Sequence, residues 1–158
     1  ADQAGNTATV THTYTVALAR PDGRIQRGTS PLRGNDIYNT LATQTVTGSA
    51  RPGATVTYYA PVQNDGPFTE RLRLRGQGST TRFTIRYYNP AGTNITTAVR
   101  NGTYTTPELA TGATHKIKIK VTVRRTAPTG AITRRTLTAY SVTHPTRYDT
   151  VRTTTRRT

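Results

Sequence analysis

The segment from Thr114 to Arg124 leaves a chain little conformational choice, for it reads Thr-His-Lys-Ile-Lys-Ile-Lys-Val-Thr-Val-Arg. Ile117, Ile119, Val121 and Val123 fall on one side of an extended backbone, and Lys116, Lys118, Lys120, Thr122 and Arg124 on the other. A period of two marks a strand with one buried and one wet face, whereas a helix would scatter both sets around its circumference. The same alternation returns along the chain. Val10, His12, Tyr14, Val16 and Leu18 share a face in residues 9–18; Val56, Tyr58, Ala60 and Val62 share one in 54–63. Leu72 and Leu74 point inward in 69–75, and Phe83, Ile85 and Tyr87 form the inner set of 81–88. Shorter strands are expected near 41–47 and 103–106, and longer ones over 131–143 and 148–154. No segment carries a helical period.

Turn chemistry separates these runs. Arg20-Pro21-Asp22-Gly23, Arg51-Pro52-Gly53, Asn64-Asp65-Gly66-Pro67, Asn89-Pro90-Ala91-Gly92 and Pro128-Thr129-Gly130 read as turns, and Gly76-Gln77-Gly78-Ser79 reads as a hairpin loop. Residues 26–39 read as a loop, and the closing residues 156–158 as a frayed tail. Seven to nine short strands with such spacing predict an all-β chain, an antiparallel immunoglobulin-like sandwich, with a closed barrel as the competing arrangement. Residues 20–155 make the sandwich domain, and residues 1–19 an extension carrying an extra N-terminal strand.

Composition agrees with sheet and narrows the chemistry. Threonine, β-branched and suited to a half-solvated pleat, supplies 37 of 158 residues. Without cysteine the chain has no disulfide, no thiol nucleophile and no cysteine-ligated zinc, so sheet and core must hold it. No apolar run reaches the length of a membrane span. The start Ala1-Asp2-Gln3-Ala4-Gly5, with no methionine anywhere, is what signal-peptidase cleavage leaves, so a secreted or cell-surface location is expected. Nineteen arginines and three lysines against seven acids give a net charge of +15, which bears on polyanionic partners rather than on fold.

Several phrases resemble a known group. Gly-Asn-Asp-Ile-Tyr-Asn (34–39), Arg-Pro-Gly-Ala-Thr-Val-Thr-Tyr-Tyr (51–59), Val-Gln-Asn-Asp-Gly (62–66), Asn-Ile-Thr-Thr-Ala-Val (94–99) and Gly-Thr-Tyr-Thr-Thr-Pro-Glu-Leu-Ala-Thr-Gly (102–112) look like turns and strand edges of bacterial surface sandwich repeats. So does the closing Ser141…Asp149-Thr150-Val151. The chain is similar, over about residues 20–155, to the immunoglobulin-like modules akin to the cell-adhesion-related domain of bacteria. The resemblance implies a non-enzymatic, extracellular spacer, adhesive or assembly module. Two departures stand out: such modules usually occur in tandem, and they are commonly neutral or acidic.

Candidate chemistry is sparse. His12, His115 and His144 lie apart, without the pairing that three or four converging zinc ligands need. Ser141, His144 and Asp149 are close in sequence, but Ser141 sits in mid-strand without a strained elbow. Glu70, Glu108 and turn-type aspartates make a poor glycosidase pair. Asn35-Asp36 and Asn64-Asp65-Gly66 suit Asx turns better than calcium, which wants six to eight oxygens. The sequons at Asn94 and Asn101 have a chance-level frequency in so threonine-rich a chain. No cofactor and no metal are expected, and the chain is read as not an enzyme.

The cations are the distinctive feature. Arg71, Arg73 and Arg75 are expected on one outer face with Arg82 and Arg86 of a hairpin partner strand. Lys116, Lys118, Lys120 and Arg124 are expected on the other sheet's outer face. Like charges across a strand pair are destabilising, so a polyanion partner is one reading and plain solvation the other. Tyr59 and Tyr88 are possible outward rings, too few to support base stacking. The leading expectation is a secreted structural subunit that assembles with copies of itself into a filament, sheath or surface layer. Residues 9–18 would be donated to a neighbour's sheet edge through Val10, Tyr14, Val16 and Leu18. The alternative is a module that binds nucleic acid or acidic polysaccharide.

Overall fold

A computed structural model describes residues 18–158. The expected donor strand, with Val10, Tyr14 and Val16, lies outside the described residues; of the four contact residues only Leu18 is described, and it is 40% exposed. In chain order the elements are β1 (Pro21–Gly23), β2 (Gln26–Arg27), β3 (Thr45–Ala50), β4 (Thr55–Asn64), β5 (Leu72–Gly76), β6 (Phe83–Tyr88), α1 (Thr96–Asn101), β7 (Tyr104–Thr105), β8 (Thr114–Val123), β9 (Ile132–Ser141) and β10 (Tyr148–Arg157).

They form two sheets packed face to face, and not a barrel. The first runs β1-β4-β8-β6, with β2 also on β4; the second runs β3-β10-β9-β5-β7. β1, β4, β8 and β6 thus take the places A, B, E and D of an immunoglobulin sandwich, and β5, β9 and β10 the places C, F and G. All pairs are antiparallel except β3 with β10, which is parallel (Thr47 opposite Thr154). Between the sheets the alternating side chains meet as their spacing requires: Val56, Tyr58, Val62, Phe83, Ile85, Tyr87, Ile117, Ile119 and Val121 from one, Leu72, Leu74, Leu137, Ala139 and Val151 from the other. Where apolar residues run out, threonines fill the second sheet's inner face. Thr153 and Thr155 are buried, and the hydroxyl of buried Tyr58 lies 2.8 Å from Thr155 Oγ1 and donates to Thr154 O at 2.9 Å.

Four expectations are corrected. Residues 156–158 do not fray as a unit: β10 continues to Arg157, and Thr158 N–H donates to Ala50 O at 3.1 Å. Pro21-Asp22-Gly23 is not a turn but a short strand on β4, with Pro21 opposite Asn64. A helix does occur. Four of the six residues of α1 (Thr96, Thr97, Val99 and Asn101) are poor helix formers and its N-cap Ile95 makes no side-chain bond; buried Val99 anchors the helix, and Gly102 closes the end at φ 68°. Last, β5 and β6 are not hairpin partners: β5 pairs with β9 and β7, and β6 with β8, so the chain changes sheets between them. Leu72 and Leu74 can then face Phe83, Ile85 and Tyr87 across the core.

That crossover also finishes an edge. The amides of Phe83, Ile85 and Tyr87 point away from β8 and donate to the hydroxyls of Thr80 (3.0 Å), Ser79 (2.9 Å) and Thr96 (2.9 Å). Three successive outward donors of an edge strand are therefore satisfied locally, which blocks further strand addition there. β3 differs. Arg152 N–H donates to Gln44 O and Thr158 N–H to Ala50 O, so Thr45, Thr47 and Ser49 turn their backbone groups away from β10. Among the described residues no strand covers that edge.

Candidate functional site

The outer face of the first sheet is built by the register of β4, β8 and β6. Lys118 on β8 stands opposite Tyr59 on β4 and opposite Tyr88 on β6, giving a row tyrosine–lysine–tyrosine. The next row is Thr57–Lys120–Arg86, and the one after it Thr55–Thr122–Thr84. Lys116, opposite Pro61, begins the file, and Arg124 ends it with its Nε donating to Thr84 Oγ1 at 3.2 Å. Arg82 joins this end through the bond from Arg124 N–H to Arg82 O. The lysines stand about 6.7 Å apart, two residues of strand, and the two tyrosine backbones about 10 Å apart, two strand spacings. Lys116 Nζ lies 5.6 Å from the ring centre of Tyr59, and Lys120 Nζ 5.4 Å from that of Tyr88, both within cation–π range. Both rings are half-buried.

Among the described residues no carboxylate neutralises this face. Among the described residues the ion pairs are Arg24 with Asp22 and Arg71 with Glu108, each at 3.6 Å. Among the described residues Arg82, Arg86, Lys116, Lys118, Lys120 and Arg124 form no ion pair with an acid. Arg71, Arg73 and Arg75 are exposed but belong to the second sheet, so the structure does not bring them to the face of Arg82 and Arg86 as expected. There Arg73 lies over Tyr140 (5.7 Å), opposite it in register, and Tyr140 packs on Tyr148 with ring centres 5.4 Å apart. The sequence reading missed that Arg134, Arg152 and Arg156 share this outer face; the signal was their even numbering among the threonines of β9 and β10.

The acids gather at one end of the sandwich. Asp149, fully buried, accepts four hydrogen bonds: from Gly23 N–H (2.7 Å) and Gln44 Nε2 (2.6 Å) at Oδ2, and from Asn39 N–H (2.6 Å) and Thr150 N–H (2.8 Å) at Oδ1. Asp22 is buried beside it, and its carboxyl oxygens have no hydrogen-bond partner in the structure. Burial, then the neighbouring charges of Asp65 and Asp149, push its pKa up to about 7 against the pull of Arg24. Asp65 Oδ2 accepts the Tyr38 hydroxyl at 2.8 Å, and Asn64 Oδ1 accepts Gly66 N–H at 3.0 Å in an Asx turn. Among the described residues no three acids or histidines have the spacing to hold a metal ion.

Ser141, His144 and Asp149 are not assembled into a relay. The buried Ser141 hydroxyl donates to Glu70 Oε2 (2.8 Å), while His144 Nδ1 meets Thr143 Oγ1 (2.9 Å) and Asp149 is occupied as above. Burial opposes ionisation of Glu70, but the bonds from Thr143 and Ser141 outweigh it and hold its pKa below the usual value. His115 Nε2 lies 2.8 Å from the Tyr104 hydroxyl, and burial pushes its pKa down.

No family model matches the chain, and no curated protein matches it. Among solved structures it is similar to part of a family 123 glycoside hydrolase from Clostridium perfringens, with 9% identity and a TM-score of 0.53. That likeness covers 87% of this chain and 27% of the hydrolase, so the chain spans about a quarter of that enzyme's length. It is also similar to the N-terminal domain of PorA, with 11% identity and a TM-score of 0.53, over 85% of this chain and 96% of that domain. A looser likeness, with 13% identity and a TM-score of 0.41, is to a PapD-like domain of human CEP192 over 96% of each chain. What the hydrolase segment and the PorA domain share with this chain is the fold. Identities this low carry no activity across, and the hydrolysis named for the first relative belongs to that enzyme.

Proposed function

We propose that this chain is a non-catalytic binding module that holds a polyanion on the outer face of its first sheet. One observation carries the reading: Lys116, Lys118, Lys120, Arg86 and Arg124 share one face on which, among the described residues, no acid pairs with them. Placing Arg86 directly opposite Lys120 opposes stability, and an anionic partner offsets that repulsion. Binding of this kind releases counterions, so log affinity falls linearly with log salt. Retention on heparin at graded salt tests it. Lys118→Glu with Lys120→Glu should elute far earlier, and Arg73→Glu with Arg75→Glu on the other sheet only slightly earlier. Equal shifts from both pairs would mean that net charge acts, not this face.

A second reading has its own support. The edge of β3 that no strand covers among the described residues, while the edge of β6 is closed, favours a role as a secreted structural subunit that receives a strand from a neighbour. The donor would be residues 9–18, with Val10, Tyr14, Val16 and Leu18 as contacts. A head-to-tail contact of this type propagates as a filament. If so, a chain lacking residues 1–18 stays folded and monomeric and binds a peptide of residues 6–19. Unfolding of that truncated chain would assign the strand to its own core instead.

A further inference from the structure

We infer that the polyanion is a single-stranded nucleic acid, laid along β8 with its bases turned aside onto Tyr59 and Tyr88; this rests on the polyanion reading above. On β8 Lys116, Lys118 and Lys120 are alternate residues at steps of about 6.7 Å, Arg124 follows just past the strand's end, and Arg86 and Arg82 lie one strand to the side, opposite Lys120 and beside Arg124. Together they make one narrow band about a strand spacing wide, which suits one linear backbone. A duplex presents two phosphate rows and keeps its bases stacked inside.

The row through Lys118 separates nucleic acid from acidic polysaccharide. Two rings at unknown places were too few to support stacking on sequence grounds, but the register sets Tyr59 on one side of the file and Tyr88 on the other, where each can take a base. A polynucleotide carries its charge in the backbone and its flat groups to the side, which matches a line of cations flanked by aromatic rings. An acidic polysaccharide carries its charges on the sugar rings themselves and has no flat side group to place there. Sheet faces that present aromatic rings are a physically sound platform for unstacked bases.

The lysines also couple the two halves of the site. Lys116 and Lys120 rest over the Tyr59 and Tyr88 rings in the unbound protein. A polyanion laid along the file meets several ammonium groups at once, and together its phosphates draw the lysines away from the rings. The ring face is thereby uncovered for a base. With tyrosine hydroxyls as the polar groups of the two rings, stacking and charge bind without reading base edges, so the site tolerates sequence.

The test is fluorescence anisotropy of the whole chain with three probes at graded salt: a labelled oligothymidine of about ten nucleotides, a duplex of the same length, and a sulfated polysaccharide. Tyr59→Thr and Tyr88→Thr keep strand propensity, Tyr59→Phe and Tyr88→Phe keep the rings, and Lys118→Glu removes the central charge; circular dichroism confirms that each folds. The expected result is tightest binding of the single strand. Each Thr variant should lose roughly tenfold on that probe alone at an unchanged salt slope, with the Phe variants at wild-type level. Lys118→Glu should weaken all three probes and make the slope shallower by about one. Thr variants without effect, or equal or tighter binding of the duplex or polysaccharide, overturn the inference and leave the polyanion reading standing. No binding of any probe at low salt, or an inert Lys118→Glu, overturns both.

Discussion

Arg86 and Lys120 stand directly opposite each other on neighbouring strands, cation facing cation, with no acid among the described residues paired to either. Opposed like charges cost a sheet up to about 1 kcal/mol. Arg86→Glu should therefore raise unfolding stability by about 0.2–1 kcal/mol in urea titration while reducing salt-dependent retention on a polyanion. A variant both less stable and undiminished in binding would show that Arg86 serves the fold and not a ligand.

Asp149 should be the most sensitive acid. It satisfies Gly23 N–H, Asn39 N–H and the Gln44 side chain, tying the N-terminal segment to β10. Each buried donor left unpaired costs about 1–3 kcal/mol, so Asp149→Ala is expected to lose about 3–5 kcal/mol, a large part of a typical domain's stability. Glu108→Ala, which breaks an exposed pair with Arg71, should change stability by less than about 1 kcal/mol. Comparable losses in the two variants would refute the assignment.

Asp22 should make stability fall as pH rises. Its folded pKa is raised to about 7 from 3.8, so between those values the folded chain holds a proton that the unfolded chain has released. Stability from this group is fully present below about pH 4 and is lost as pH approaches 7. His115 acts in the opposite sense, since its depressed pKa removes stability as pH falls below its ordinary range. The comparison of wild type with Asp22→Asn isolates the first effect: the variant's advantage should grow between pH 4 and 7 and then level off. Parallel stability curves would show that Asp22 is ionised throughout.

The last strand should matter to its end. Deleting residues 154–158 removes Thr155 from the core and strips the Tyr58 hydroxyl of both partners. A drop in thermal midpoint of several degrees is expected, seen by scanning calorimetry. A chain that melts unchanged would show that the pairing of Arg156 with Ser49 contributes nothing.

Alternation alone made β4, β8 and the inner faces of β5 and β6 legible, because a period of two with apolar residues on one side has a single low-energy answer in water. It also showed that Lys116, Lys118 and Lys120 face outward together. It was silent on which strands become neighbours. Arg75 and Arg82 lie seven residues apart and were expected on one face, yet the chain crosses the core between them. The same inward set, Leu72 and Leu74 with Phe83 and Ile85, fits a hairpin or two facing sheets equally well, and burying both sets against each other decides for the second. Short elements escaped for a related reason. β1 and α1 take their conformations from distant partners, Asp149 on Gly23 and the core around Val99, rather than from their own three and six residues. The sequence by itself determined which side chains are wet and which are dry, since solvation acts residue by residue. Only the tertiary structure decided that Lys118 stands between Tyr59 and Tyr88, because register across three strands is set by packing of the whole core.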